Sequence, residues 1–546
     1  MVRHMDRTTL GAAALVAALV CAPAPSTAQS RTSSIAPPAR FVDPDRLGKL
    51  RTAFPQVDRI IHEFAERSHV PGIGYGIVVD GKVVHLNVAG LREVASRSPV
   101  DTSTVFRIAS MSKSFAAVSI LQLRDAGKLS LDDPAERYMP ELAGLRYPTT
   151  DSPRLTIRLL LSHSEGFPED NPWGDQQLSA TNEDMARMMR SGIPFSTAPG
   201  TSYEYSNFGF AILGRIVANV SGMPYPRYLR EKVLDPLGMH VTTLEAATVP
   251  AARLAHGYRR QDNAWLEEPQ LPDGAFGPMG GMLTSVSDLG RWVGFMLDAW
   301  PPRDGAEVGP LRRSSLREMQ QVVRFSGATA MRDPATGIVA LGAGGYGYGL
   351  GVRQTCLFRI SIAHGGGLPG FGSLMRWLPE YGVGIVALGN LTYTGWGTVA
   401  EQALTLLSET GGLVPRLPQP APVLNERREQ VTRLVANWSS PLADSLAAMN
   451  LYLDESKDRR RAAIERIRGD AGEGCRNEGE FVVENALRGR WRMRCAKGDL
   501  RISITLAPTE PATVQFLEVV SMKQGESLAP LPACRSGTSA RDGTSN

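Results

Sequence analysis

At 546 residues the chain is too long for one ordinary domain, and a prior of about 150 residues per domain allows two to four. Hydrophobic content of 42% and charged content of 21% exclude a disordered or fibrous chain. The net charge of +4 is small for this length and the basic residues are scattered through the chain, so nucleic acid is not an expected partner.

The first residues have a targeting layout. Arg3 and Arg7 precede an apolar stretch at 10–22, and Ser26 and Ala28 stand where small residues flank a cut after Ala28. Residues 1–28 therefore read as a secretory signal. The stretch falls short of the ~20 residues of a spanning helix, and Val20 argues against a lipid anchor at Cys21. The expectation is a bacterial protein exported to the periplasm or medium, without stable membrane insertion once the signal is removed. In that oxidising setting Cys356, Cys475, Cys495 and Cys534 remain. Cys475 and Cys495 share one small β-rich module, so a disulfide between them is plausible, although spacing does not establish it.

In "FPQVDRIIHEFAER", Phe54, Val57, Ile60, Ile61 and Phe64 recur at helical spacing. "GIGYGIVVDGKVVHLNVAG" predicts a hairpin around an Asp80-Gly81 turn. Residues 110–239 read as mainly helical, the clearest helix being "SKSFAAVSILQLRDAG", which ends at Gly127. From Gly345 short strands return in "YGYGLGVRQ", "FRISIAHGGG", "FGSLMRWLP" and "YGVGIVALGN". Strands at both ends with helices between them predict an α+β fold: an antiparallel sheet flanked by helices, with an inserted, mostly helical lobe and a site at the seam. This domain would span 29–410. Residues 411–425, "GGLVPRLPQPAPVLN", read as a Pro-rich linker. Residues 426–525 read as a small accessory α+β domain, helical first and then a β-meander with a turn at Lys497-Gly498. The Gly/Ser/Thr-rich tail, 526–546, is expected to be disordered.

The chemistry centres on "FRIASMSKSF". The chain has eight lysines against fifty-one arginines, and one of the eight is Lys113, three residues after Ser110. Residues three apart share a helix face, so hydroxyl and amine can meet. A serine becomes a useful nucleophile when a base takes its proton. Neutral lysine can do that and arginine cannot. A free lysine has a pKa of about 10.4, so neutrality near pH 7 takes burial or a second cation worth roughly 4 kcal/mol. Taken alone, S-x-x-K also fits a helix N-cap with a solvated lysine. "TSYEYSNFGF" adds Tyr205 and Asn207, the phenol to complete a proton relay and the amide to hold substrate and lysine. "IAHGGGLPGFGS" adds His364 and glycines 365–367, which let a ligand run close beside the strand or simply form a turn. "IHEF" and "HSEG" lack a second ligand at zinc spacing, so no metal or cofactor is expected and His62 and His163 read as structural.

The ordered trio "SMSK", "YSN" and "HGG", with flanks such as "VLDPLGM" and "LPEYGVGIVALGN", resembles the β-lactamase-related serine hydrolases across about 54–408. That family includes class C β-lactamases, D-alanyl-D-alanine carboxypeptidases, D-aminopeptidases and family VIII esterases. The resemblance implies a β-lactamase/transpeptidase-like fold with Ser110 as the acylated nucleophile and Lys113 as its proton partner. Tyr205 would be general base and acid, and Asn207 would orient. His364 and Gly366 would line the substrate strand, and the N–H groups of Ser110 and Gly367 would form an oxyanion hole. Class C β-lactamases have a lysine where His364 stands. A mostly neutral imidazole there leans the expected substrate toward a small-molecule or peptide acyl donor, such as a cell-wall D-amino-acid peptide, rather than an anionic β-lactam. A family VIII-type carboxylesterase is the alternative within the class, and a non-catalytic penicillin-binding or scaffold protein the alternative outside it. Glu165 stands where relatives carry a small hydroxyl residue.

Overall fold

The computed structural model describes residues 35–332, 339–523 and 525–529. The expected signal at 1–28 lies outside the described residues, as does most of the expected tail. Among the described residues no helix is long and apolar enough to cross a membrane.

The architecture is set by a nine-stranded antiparallel sheet. Its strands are β1 (Gly72–Val79), β2 (Lys82–Glu93), β3 (Ser98–Pro99), β4 (Arg324–Arg332), β5 (Val339–Tyr346), β6 (Gly351–Thr355), β7 (Ser361–Leu368), β8 (Phe371–Leu378) and β9 (Val383–Gly389). Their order is β3-β2-β1-β9-β8-β7-β6-β5-β4, so the first long strand lies against the last. The β1–β2 hairpin turns at Asp80 and Gly81, both with positive φ, as a two-residue hairpin loop demands. β1 and β9 are buried throughout and rich in Val, Ile and Ala, as expected of strands covered on both faces.

Each face has its own core. One holds α1 (Phe54–Arg67), whose Phe54, Val57, Ile61 and Ala65 are buried, together with the helix Gly397–Glu409. The other carries the helical lobe inserted between β3 and β4. At its centre is α2 (Ser112–Asp125), with eleven of its fourteen residues buried, so it serves as the lobe's axis rather than an amphipathic cover. Gly127, in the left-handed region, follows its end.

Three expectations need correction. "YGYGLGVRQ" is not one strand, because β5 ends at Tyr346 and β6 starts at Gly351. β4 and β5 extend the sheet beyond the strands expected, since "RFSGATAMR" lacks the alternating bulk that marks a half-buried strand. The break after the sheet-and-lobe domain is shorter than 411–425, because a helix runs Pro422–Ala436 with its proline in the first turn, where no N–H is missed.

Beyond the break, four antiparallel strands pair in chain order, Arg476–Asn485, Arg488–Arg494, Asp499–Leu506 and Val514–Ser521. They pack on Pro422–Ala436 and Lys457–Ala471 around a separate core. Cys475 and Cys495 form a disulfide, S–S 2.00 Å. Order persists past 525: Glu526 accepts from Arg501 at 3.2 Å and Leu528 is buried.

Candidate active site

Ser110 lies in a single 3-10 turn, Ala109–Met111, that leads directly into α2. Ala109 holds φ +48, a left-handed conformation that costs a non-glycine residue about 1 kcal/mol. Its surroundings hold it there. Ile108 N–H donates to Met282 O at 2.9 Å, and Ser373 Oγ of β8 donates to Ile108 O at 2.9 Å. Ser112 Oγ donates to Ala109 O at 2.7 Å and accepts from Met282 N–H at 3.1 Å. The turn that carries Ser110 is thereby pinned to the sheet and to the lobe.

Lys113, one helical turn later, has no solvent exposure. Its Nζ lies 3.0 Å from Ser110 Oγ and donates to Asn207 Oδ1 at 2.6 Å and Met279 O at 2.8 Å. Burial lowers its pKa to about 7, with Asp170 and Asp175 pulling the other way. A neutral amine has two N–H bonds and one lone pair. With two fixed acceptors taking the N–H bonds, the lone pair is left for the serine hydroxyl.

Asn207 is the first residue of α3 (Asn207–Ser221), and its neighbour Ser206 is the N-cap, accepting from Gly209 N–H at 3.2 Å. Asp170 completes that end, accepting from Asn207 N–H at 2.6 Å and Phe208 N–H at 2.9 Å. Asn207 Nδ2 donates to Asn171 Oδ1 at 3.1 Å, so both ends of the amide are engaged and the side chain is fully buried. Of the two roles expected of Asn207, the structure displays the one toward Lys113.

Tyr205 stands over the same amine, its ring centroid 4.8 Å from Lys113 Nζ and its hydroxyl beside Ser110. Burial pushes the phenol well above its usual pKa, so it is protonated at neutral pH. The ring of buried His163 packs on Tyr205 at 4.2 Å and on Tyr346 at 4.5 Å, while its Nδ1 accepts from Ser206 N–H at 3.1 Å. His163, read as structural, thus fixes the Tyr205 loop.

His364 on β7 donates from Nδ1 to Gly365 O at 2.6 Å and accepts at Nε2 from Tyr346 Oη at 2.8 Å. Burial and Lys113 lower its pKa to about 3, so the ring is neutral. Pairing of β7 with β6 ends at Ala363, which leaves the β7 edge from His364 to Gly367 open. Gly366 and Gly367 are glycines for a reason other than ligand clearance. A Cβ at Gly366 would sit 2.1 Å from Ile108 O, and one at Gly367 would sit 2.4 Å from the Tyr393 ring. They let β7 close on the Ser110 turn, and what they can offer a ligand is backbone.

Glu165 does not face the cleft. It is fully buried with both carboxylate oxygens unpartnered, and its pKa is raised well above the usual range by burial. A Cβ at Gly209 would lie 2.3 Å from Glu165 Oε1, so the glycine on α3 makes room for it. Four participants escaped sequence reasoning: Asp170, Met279 O, Tyr346 and the orienting His163. No local pattern marks them, since their partners lie 18 to 166 residues away.

The Beta-lactamase family profile matches residues 57–409. Protein flp of Staphylococcus aureus (strain COL) is 28% identical over 342 residues, 62% of this chain and 63% of that protein, so the chain spans under two thirds of that relative. The beta-lactamase of Lysobacter lactamgenus is 28% identical over 372 residues, 66% of this chain and 92% of the relative. The octameric penicillin-binding protein homologue from Pyrococcus abyssi superposes with a TM-score of 0.53 at 21% identity, over 86% of this chain and 98% of that one, a likeness of fold. With a β-lactamase-like sheet, a helical lobe and a profile match over most of its length, this chain belongs to the Beta-lactamase family of serine hydrolases.

Proposed function

We propose that the chain is an exported serine hydrolase that carries the acyl group of an amide or ester substrate on Ser110. The observation that carries the reading is the amine of Lys113, buried, 3.0 Å from Ser110 Oγ, with its N–H bonds assigned to Asn207 and Met279. Neutral Lys113 takes the serine proton as Oγ attacks the carbonyl carbon. The oxyanion accepts from Ser110 N–H and from Gly367 N–H on the open β7 edge. As the tetrahedral intermediate collapses, the scissile bond breaks, the Tyr205 phenol gives its proton to the leaving group, and the Lys113 ammonium refills the phenol. Water then attacks the acyl-enzyme, its proton returns through the same pair, and Ser110 Oγ is released as a hydroxyl.

The sequence likeness and the neutral His364 support a peptide or ester donor, a cell-wall D-amino-acid peptide among them, over an anion that needs a cation at position 364. The signal layout of residues 1–28 supports export. Labelling with a fluorophosphonate probe, read by intact mass, tests the reading. Wild type is expected to gain one adduct and Ser110→Ala none, and equal labelling of the two would refute it.

A further inference from the structure

Sheet and lobe meet again beside the open edge of β7. On the lobe side the turn Asn171–Asp175 packs on Asn207: Asn171 Oδ1 accepts from Asn207 Nδ2 at 3.1 Å, and a Cβ at Gly174 would sit 2.7 Å from Asn207 Cβ. Asn207 is the amide that holds Lys113, so Asp175, which ends the turn, borders the active site. On the sheet side Tyr393 follows β9. Its hydroxyl donates to Asp175 Oδ2 at 2.7 Å and joins the two walls.

Strand alternation fixes where this bond runs. A Cβ at Gly366 would point at Ile108 O, so that face of β7 belongs to the Ser110 turn. Side chains at 365 and 367 would point to the other face. A Cβ at Gly365 would meet nothing nearer than 3.8 Å, whereas one at Gly367 would strike the Tyr393 ring at 2.4 Å. At Gly367 the edge is therefore bracketed by the Ser110 turn on one face and by Tyr393 on the other. Tyr393 is half-exposed and keeps a φ of +50, which a tyrosine seldom adopts, with its N–H bonded to Phe371 O at 3.1 Å.

The two ends of the edge differ. His364 marks one, its ring centroid 6.4 Å from that of Tyr205. Gly367 lies three residues, roughly 10 Å, further along. In the reading above the leaving group is protonated at Tyr205 and the oxyanion sits at Gly367 N–H. The acyl substituent then takes the end that Tyr393 and Asp175 close.

Asp175 is poorly matched there. It is 5% exposed and has no ion pair among the described residues. Its Oδ1 accepts no hydrogen bond from a described residue, and unlike the oxygens of Glu165 it is not sealed from solvent. Burial raises its pKa, with Tyr393 and Lys113 opposing. Asp170, by contrast, accepts from Asn207 N–H, Phe208 N–H and Ser206 Oγ. Lys113 sheds its charge above about pH 7 and His364 is neutral, so neither supplies a lasting counter-charge. A cation brought to Oδ1 offsets the cost of burying this carboxylate.

We infer that Asp175, held in place by Tyr393, selects the acyl group: the acyl half of the substrate bears a cation, such as an ammonium, close to the scissile carbonyl, and that cation sits on Oδ1. The inference rests on the hydrolase reading and narrows its substrate class.

The test compares the p-nitrophenyl esters of β-alanine and of butyric acid, which differ by an ammonium in place of a methyl. Each kcat/KM is divided by the rate of uncatalysed hydrolysis of the same ester. Wild type should prefer the β-alanyl ester by about ten-fold or more. Asp175→Asn should bring the ratio close to one, Asp175→Glu should retain part of the preference, and Tyr393→Phe, which frees the carboxylate but keeps the ring, should weaken it. A circular-dichroism melt of each variant checks the fold, and if Asp175→Asn does not fold, the other two carry the test. An absent preference in wild type, one that survives Asp175→Asn, or a ratio equal to wild type in both remaining variants overturns the subsite. Fluorophosphonate labelling of Ser110 is read separately: if wild type labels, the hydrolase reading stands, and if it does not, both fall.

Discussion

Replacing Lys113 with methionine isolates the proton that the site depends on. The native lysine has a pKa of about 7, against 10.5 for the free side chain. Between those values the unfolded chain holds a proton that the native protein lacks, so stability rises with pH. Integrating from pH 6 to pH 9 gives wild type a gain of about 2.7 kcal/mol that Lys113→Met cannot show. Glu165, whose raised pKa does not depend on Lys113, is present in both proteins and cancels in the difference. Urea unfolding followed by near-ultraviolet circular dichroism at several pH values measures it. The methionine variant should lie above or near wild type at pH 6 and lose that advantage by pH 9. It should also be unable to acylate Ser110, while wild-type kcat/KM rises through an acid limb near pH 7. If the two stability curves stay parallel, Lys113 is not depressed and the case for it as base collapses.

Glu165 titrates with the opposite sign. Its raised pKa means that the native state keeps a proton above the ordinary 4.5, so its contribution weakens as pH rises. Glu165→Gln should therefore gain on wild type between pH 5 and 8, by at most about 1.4 kcal/mol per pH unit in urea melts, and a gap that narrows would refute this. Gly366→Ala should cost more than about 2 kcal/mol and displace Ser110, because its Cβ would strike backbone at Ile108. Gly365→Ala, one residue away, should melt with wild type, and equal melting of Gly366→Ala would discredit the packing account.

What could be read from the sequence was whatever is local or periodic. Ser110 and Lys113 meet because three residues make nearly a helical turn, and the Asp80-Gly81 hairpin forms because those residues accept positive φ. Asn207 was found together with its Lys113 contact, but its other partner, Asn171, was not, since 36 residues separate the two. What the β7 glycines pack against was not legible, because only the fold shows that the missing side chain at Gly366 makes room for Ile108. Asp170 illustrates the limit, because a carboxylate that caps a helix 37 residues away leaves no mark on its own neighbourhood.

The pairing of Ile73 with Gly389 has a consequence for biogenesis. The central sheet cannot close until more than three hundred residues separate its first strand from the ribosome. Closing so long a loop is entropically costly and slow. The emerging N-terminal hairpin must therefore wait with one edge unsatisfied, exposed to mispairing, until residues 383–389 arrive to complete the sheet.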